Sequence, residues 1–433
     1  MKLFRHQQLA LSLMRLHDGF ALFMEQGVGK TIPALLRATE LIEQGKAENA
    51  LIVSPIYAMG AWNRDMKKIG FREGFSKITI INYERVWRKE EFNKKWDIII
   101  LDESHKIKSR TTKQASFLLK LALTAKYKYI LTGTPVGNGK IEDLWSQLAF
   151  LYPLKAKKSV SSLLFGTYYE FLDNYCILNK YYKPYKYINV HEIQEIRDRY
   201  SIRVLKEECL DLPEKLPDEI YDIERGEKTL YNQLVKGNAI VSLDLVVENP
   251  LHKQTILRGM CSGFINLPDG KKELKCNKLA TLKEVLDGWE KKMVIFCTYR
   301  YSIDQIEKLL KSLKIKYVTL DGRQKDKEIW RKFQSDESIQ IIICQYQSGS
   351  MGIDLFASDV IIYYEPTLST QLLEQSRDRI HRVGQTKKCS YIHFITKGTV
   401  EVAIYNALSQ MMDFNEALFE KYIEQYQKGV KYK

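Results

Sequence analysis

Gly27, Gly29, Lys30 and Thr31, inside the stretch MEQGVGKT from Met24 to Thr31, have the types and spacing of a loop that cradles phosphate. Glycines let backbone N–H groups approach phosphate oxygens, a lysine reaches the β and γ phosphates, and a threonine hydroxyl can hold Mg²⁺. Met24 replaces the first glycine of the G-x-x-x-x-G-K-[ST] spacing, and the plainer reading is a strand-to-helix turn with an incidental lysine. About one small domain later, the apolar run WDIIIL, Trp96 to Leu101, ends in Asp102 and Glu103. A buried parallel strand that ends in two carboxylates supplies a Mg²⁺ ligand and a residue to activate water. Two adjacent acids alone read as a solvated turn; downstream of a phosphate loop they point to nucleotide hydrolysis. A third group, QSRDRIHRVGQ from Gln375 to Gln385, puts Arg379 and Arg382 three apart on an expected helix, hence on one face. Such a pair can supply positive charge to a γ-phosphate during transfer, whereas in isolation it reads as a charged surface helix.

The elements that must position these residues are legible as short apolar runs followed by polar turns. Phe20 to Phe23 precedes the glycine loop as a strand, and Ile32 to Leu41 follows it as a helix. LIVSP (Leu51 to Pro55), ITIINYE (Ile78 to Glu84), WDIIILDE and YILTGTP (Tyr129 to Pro135) continue the pattern. The spacing leaves room for crossover helices, which predicts a parallel sheet with helices on both faces and functional loops at the carboxyl ends of its strands. The rhythm restarts after about residue 276 with MVIFCTYR (Met293 to Arg300), YVTLDG (Tyr317 to Gly322), IQIIICQ (Ile339 to Gln345), VIIYYEP (Val360 to Pro366) and SYIHFIT (Ser390 to Thr396). The expected fold is α/β: a lobe over 1–150 with the phosphate loop, a mixed helical and hairpin region over 151–275, and a second lobe over 276–433 with the arginines.

Within the middle region, NKYYKPYKYINV, Asn179 to Val190, predicts a β-hairpin in which Tyr181, Tyr182, Tyr185 and Tyr187 interleave with Lys180, Lys183 and Lys186. Such interleaving suits a phosphate backbone and exposed base faces. Equally, the tyrosines could pack on the first lobe and leave the lysines solvated.

The chain of 433 residues is long enough for two or three domains, and its 45% hydrophobic content excludes disorder. A formal charge of +14, from 67 Lys+Arg against 53 Asp+Glu, favours a polyanionic partner, nucleic acid before a membrane surface, or serves solubility alone. Seven scattered cysteines, with no C-x-x-C pair, predict reduced thiols in a cytoplasmic compartment and no zinc site. No signal-peptide pattern and no long apolar run is found, so no membrane association is expected.

In this order the motifs resemble those of helicase superfamily two, specifically its Swi/Snf-like branch of DNA translocases, over nearly the whole chain. FRHQ (Phe4 to Gln7) is similar to the adenine-reading glutamine motif. LIVSPIYAMGAW (Leu51 to Trp62) and INYE (Ile81 to Glu84) resemble DNA-tracking motifs, DESHK the D-E-A-H box, and LTGTPVGN (Leu131 to Asn138) the L-T-G-T-P-x-x-N motif. RVLKEECLDLPEK (Arg203 to Lys215), TLDGRQ (Thr319 to Gln324), QSGSMGIDLFASD (Gln347 to Asp359) and ITKGTVEVAI (Ile395 to Ile404) match later segments of the branch. Met24, Gln26, Ser104 and Ser350 depart from its usual residues without removing a group that does chemistry. The small size looks most like fork-remodelling annealing helicases and minimal phage or bacterial versions.

The resemblance implies two RecA-like lobes, ATP and Mg²⁺ as cofactors, and a role for each motif residue. Lys30 and Thr31 would bind phosphate and Mg²⁺, Gln7 the base, Asp102 the Mg²⁺, and Glu103 the attacking water. Gly27 and Gly29 shape the phosphate loop, and Gly352 and Asp354 would lie near the ribose. His105 and the Thr132 to Thr134 loop would relay nucleotide state, and Arg379 and Arg382 would act as fingers. Ser54, Trp62, Tyr83, Thr134, Tyr299 and Ser348, mainly through backbone amides and hydroxyls, with Lys183 and Tyr185 of the hairpin, would meet DNA. The implied function is an ATP-dependent motor on double-stranded, branched DNA, acting as a monomer in the cytoplasm. An RNA-dependent helicase and a nucleotide-gated DNA-binding scaffold are the alternatives; a nuclease lacks an acidic cluster and a domain to hold it.

Overall fold

The computed structural model describes residues 2–70, 72–137, 139–156, 160–209, 211–247, 249–267, 270–326, 328–349 and 352–429. Asn138 and Ser350, named above, lie outside the described residues. The chain forms two compact units, Met1–Asp211 and Leu212–Lys433, which meet inside the stretch read as an intermediate region. Among the described residues no helix is long and apolar enough to cross a membrane, and all seven cysteines are free thiols.

The first unit is built on a six-stranded parallel sheet. From one edge its strands run Ser201–Val204, Gly19–Met24, Tyr127–Leu131, Ile98–Asp102, Ala50–Val53 and Ile78–Ile81. Because side chains alternate across a strand, each apolar run feeds two cores at once. Phe23, Leu51, Val53, Ile99, Leu101 and Ile130 pack on one face. Phe20, Leu22, Ala50, Ile52, Ile98, Ile100 and Leu131 pack on the other. Such two-sided burial requires crossover helices, of which Thr31–Glu43 is one.

The second unit repeats the plan. Its parallel strands run Glu219–Ile223, Ser390–Thr396, Val360–Tyr363, Met293–Cys297, Ile341–Gln345 and Tyr317–Leu320. Each unit is therefore a RecA-like lobe, and each draws one edge strand, Ser201–Val204 or Glu219–Ile223, from the stretch that the sequence left outside both lobes. A hairpin is present but shifted: its antiparallel strands are Cys176–Leu178, before the predicted stretch, and Pro184–Tyr187, with a register shift between Ile177 and Leu178 and the turn over the residues read as the first strand.

Candidate nucleotide-binding site

The phosphate loop, the acidic pair and the Thr132–Thr134 loop of the first unit gather at the carboxyl ends of parallel strands, the place where such sheets bind ligands. Strand Gly19–Met24 runs into the glycine loop, and helix Thr31–Glu43 begins at its end. Gly27 and Gly29 have φ of 86° and 78°, a left-handed backbone that costs glycine nothing. At Gly29 a Cβ would also stand 2.4 Å from Gln7 Nε2. That amide donates to Gly29 O at 3.0 Å and accepts from Phe4 N at 3.1 Å, while His6 Nε2 lies 2.8 Å from Val28 O. Helix Arg5–Leu16 thus clips the phosphate loop from outside. Gln7, expected to read adenine, has only its second N–H and second lone pair left for a base.

Lys30 is buried, and its Nζ lies 3.2 Å from Glu103 Oε1. Thr31 donates its hydroxyl to Asp65 Oδ2. Asp65 lies on helix Ile56–Ile69, and sequence reasoning missed it. Its signal was the spacing to Trp62, three residues earlier on the same helical face.

Asp102 closes strand Ile98–Asp102 and is 3% exposed. Its Oδ2 accepts from Ser54 Oγ and from Trp62 Nε1, both at 2.9 Å, and its backbone carbonyl accepts from Tyr83 OH at 2.8 Å. The Ser54 and Tyr83 hydroxyls, expected with backbone amides among the groups that meet DNA, are thus engaged inside the fold. All three are 0% exposed and spend their polar atoms on Asp102. Of the four tracking residues expected in this unit, only Thr134 is exposed. Burial pushes the Asp102 carboxyl above its usual range, Glu103 adds to the push, and Lys30 with the two donors opposes it.

Glu103 follows at φ 53°, ψ 55°, a left-handed conformation that costs a non-glycine residue about 1 kcal/mol or more. Strain of this kind persists where surrounding structure over-determines it. Here the Glu103 carboxylate faces Lys30, His105 Nδ1 at 3.4 Å and Thr132 Oγ1 at 3.5 Å. His105 and Thr132 are 3.1 Å apart, and Thr134 N donates to Thr132 Oγ1 at 3.2 Å. Burial lowers the His105 pKa to about 4 against the opposing charge of Glu103, so its imidazole is neutral near pH 7. Ser104, the departure from alanine, donates to Gln147 Oε1 at 2.7 Å, and Gln147 donates on to Pro135 O at 2.6 Å. The acidic box and the loop after strand Tyr127–Leu131 are thereby one bonded assembly.

This donor set fits a magnesium-bound triphosphate. A left-handed glycine loop opens a helix N-terminus, and a buried carboxylate pushed toward neutrality invites a cation. Thr31 and Asp102 would hold Mg²⁺, which would offset phosphate charge when bound.

In the second unit, helix Thr370–Arg377 ends before either arginine. Arg379 and Arg382 lie in the turn that follows, which corrects their expected helical placement. Gly384 at φ 104° and the Gln385 amide, donating to Ser358 O at 2.8 Å and Ile380 O at 3.2 Å, fix that turn. The two arginines nevertheless converge: their Nη1 atoms reach Ile353 O at 3.4 and 3.1 Å, and Arg382 pairs with Asp354. Gly352, at φ 65°, precedes that carbonyl. Tyr299 is turned inward, against Phe264 with ring centroids 5.1 Å apart, and burial raises its phenol pKa. This corrects its expected DNA contact through the hydroxyl. Ser348, in the short helix Tyr346–Gly349, is half-buried, and Lys183 and Tyr185 are exposed on the hairpin of the first unit.

The sequence pattern of the SNF2-related domain matches residues 72–263, and that of the helicase conserved C-terminal domain matches 277–384. The chain is 26% identical, over 95% of its length, to the SWI/SNF-related matrix-associated actin-dependent regulator of chromatin subfamily A-like protein 1 homolog of Caenorhabditis elegans, and covers 61% of that protein. It is 23% identical, over 89% of its length, to the DNA annealing helicase and endonuclease ZRANB3 of Bos taurus, covering 37% of it. Across these relatives the chain spans between about a third and just under two thirds of their length. The solved SWI2/SNF2 ATPase core of Sulfolobus solfataricus in complex with dsDNA is 22% identical, with a TM-score of 0.44, over 99% of this chain and 94% of that one. Carrying both domains over more than half of its residues, the chain belongs to the SNF2-related, Swi/Snf-like branch of helicase superfamily two.

Proposed function

We propose that this chain is an ATP- and Mg²⁺-dependent translocase that moves along double-stranded DNA and acts on branched DNA. The observation that carries the reading is the Lys30–Glu103–Asp102 group at the mouth of the glycine loop. Lys30 binds the β and γ phosphates. Glu103, held by its strained backbone and by Thr132, orients the attacking water and takes its proton. Arg379 and Arg382 supply positive charge to the transferring phosphoryl group. The relay His105–Thr132–Thr134 gives the state of Glu103 a path to the exposed Thr134, a candidate DNA contact of the first unit. The charge of +14 supports a polyanionic partner, and the relatives' names support DNA. Phosphate contacts of this kind carry little sequence information and make binding salt-dependent.

The test is the ATPase rate at one salt concentration with no nucleic acid, single-stranded DNA, linear duplex, a fork, a four-way junction and RNA. Strong stimulation by duplex, and more by fork or junction, is expected. Stimulation by RNA or single strands alone would transfer the chain to an RNA-dependent or strand-separating reading. No turnover under any condition would leave a nucleotide-gated DNA binder.

A further inference from the structure

The turn joining strands Cys176–Leu178 and Pro184–Tyr187, with the first residues of the second strand, displays three aromatic rings to solvent. Tyr181, Tyr182 and Tyr185 are 69%, 84% and 65% exposed. Burying rings of this size is strongly favourable, so a group of them left outside marks an interaction site more often than a lone exposed ring does. The turn is also built to hold them. Asn179 Oδ1 accepts from Tyr181 N at 2.9 Å and Lys183 N at 3.1 Å. The Asn179 backbone closes the loop through Tyr182 N to Asn179 O and Asn179 N to Lys183 O, both 2.9 Å. These bonds keep Tyr182 at φ 58°, a conformation an aromatic residue rarely adopts. The base of the hairpin is pinned: Tyr187 OH donates to Glu142 Oε2 at 2.5 Å, and Leu178 and Tyr187 pack on the core.

Between Cys176 and Val190 the sequence has three lysines and no acid. Lys180 Nζ stands 5.1 Å from the centre of the Tyr181 ring. Cations beside exposed rings fit one ligand class in particular, a polyanion whose repeating units each carry a flat aromatic face. In duplex DNA those faces are stacked on one another and only the phosphates are outside. Unpaired bases expose both.

We propose that this tyrosine turn is a stacking platform for unpaired bases of single-stranded DNA. Tyr181, Tyr182 and Tyr185 take base faces, and Lys180, Lys183 and Lys186 take the adjoining phosphates. The proposal rests on the DNA-translocase reading above and deepens it: a motor tracking a duplex holds the displaced or unpaired strand of a branch at this turn.

The test is binding of the full chain, without nucleotide, to fluorescein-labelled oligo(dT) of 15 bases and to a 15-base-pair duplex, read by anisotropy at two salt concentrations. Tyr181→Ala/Tyr182→Ala should weaken oligo(dT) binding at least tenfold, since each stacked base is worth about that much or more. Tyr181→Phe/Tyr182→Phe, which keeps the rings, should stay within about twofold of the parent. Equal losses in the two variants, or a loss below about twofold in the alanine variant, overturns the platform. A loss of duplex binding as large as that of oligo(dT) overturns its assignment to unpaired bases. Failure of the translocase reading is separately visible, as absent duplex stimulation of ATPase in the unsubstituted chain.

Discussion

Trp62→Phe separates two accounts of the buried residues around Asp102. The substitution keeps an apolar ring in a position that is 0% exposed and removes the indole N–H that reaches Asp102 Oδ2 at 2.9 Å. A hydrogen bond to a charged group contributes about 1.5–3 kcal/mol net, and Asp102, 3% exposed, has no compensating water shell. Ser54 Oγ remains on the same oxygen, so the loss should sit near the middle, about 2 kcal/mol. For a unit the size of Met1–Asp211, 1 kcal/mol moves a melting temperature by about 2–4 °C, which gives a drop of about 4–8 °C for the first unit alone. Thermal melting followed by circular dichroism, with the second unit's transition as internal reference, reads it. Combining Trp62→Phe with Ser54→Ala should cost more than the sum of the single losses, because the second removal strips the carboxylate oxygen of its last side-chain donor in this pair. Affinity for duplex DNA should change less than about threefold, since neither side chain reaches the surface. Unchanged melting together with a tenfold loss of duplex affinity would refute the reasoning and return Trp62 to the DNA.

Lys30→Ala should abolish hydrolysis while duplex binding persists, and Glu103→Gln should lower kcat by about 10²-fold or more, measured as steady-state phosphate release; retained turnover in Glu103→Gln would sink its role. Arg382→Ala should lower kcat about 10³-fold with ATP affinity reduced only a few-fold, because such a charge acts mostly in the transition state; the opposite split in kcat and KM contradicts it. Asp65→Ala frees the Thr31 hydroxyl from a charged acceptor and should lower the Mg²⁺ concentration for half-maximal nucleotide binding; a rise would make Asp65 a support for the cation instead. His105, whose pKa burial lowers from 6.5 to about 4, favours the folded state while neutral. The stability it contributes is present above pH 6.5 and lost as pH falls toward 4, on the order of 3 kcal/mol in all. Denaturant melts between these pH values should show that slope, and His105→Gln should flatten it.

The interior strands were legible because a strand buried on both faces must be a continuous apolar run, as in Ile98–Asp102 and Met293–Cys297. The edge strands were not. Glu219–Ile223 has four of its five residues exposed, and Ser201–Val204 is four residues long with Arg203 facing out. The phosphate loop and the acidic pair were legible because backbone chemistry fixes both the residue types and their position after a strand. The orientation of neighbouring polar side chains was not. Ser54 and Tyr83 follow strand ends, where a ligand-facing role is the natural expectation, yet the buried Asp102 needs donors, and its carboxylate takes Ser54 while its backbone carbonyl takes Tyr83. The arginine pair was misplaced for a related reason: its three-residue spacing fits a helix, and only Gly384 and Gln385 after it show that the chain has already turned.

The phosphate-loop side chains are each engaged by protein. Lys30 faces Glu103, Thr31 faces Asp65, and Gln7 holds the Gly29 carbonyl. Two of the three partners are carboxylates, so a triphosphate taking Lys30 must displace a like-charged group rather than fill a neutral space. Displacing it does two things at once. It removes the positive partner from Glu103, and it leaves that carboxylate, still held by Thr132 beside a neutral His105, as an acceptor for water. The same exchange loads the site and prepares its base. Helix Ile56–Ile69 feels both events, because Asp65 touches Thr31 while Trp62 touches Asp102. That helix is a second bonded path, beside the His105–Thr132–Thr134 relay, from the phosphate loop to the segment that the resemblance assigns to DNA tracking.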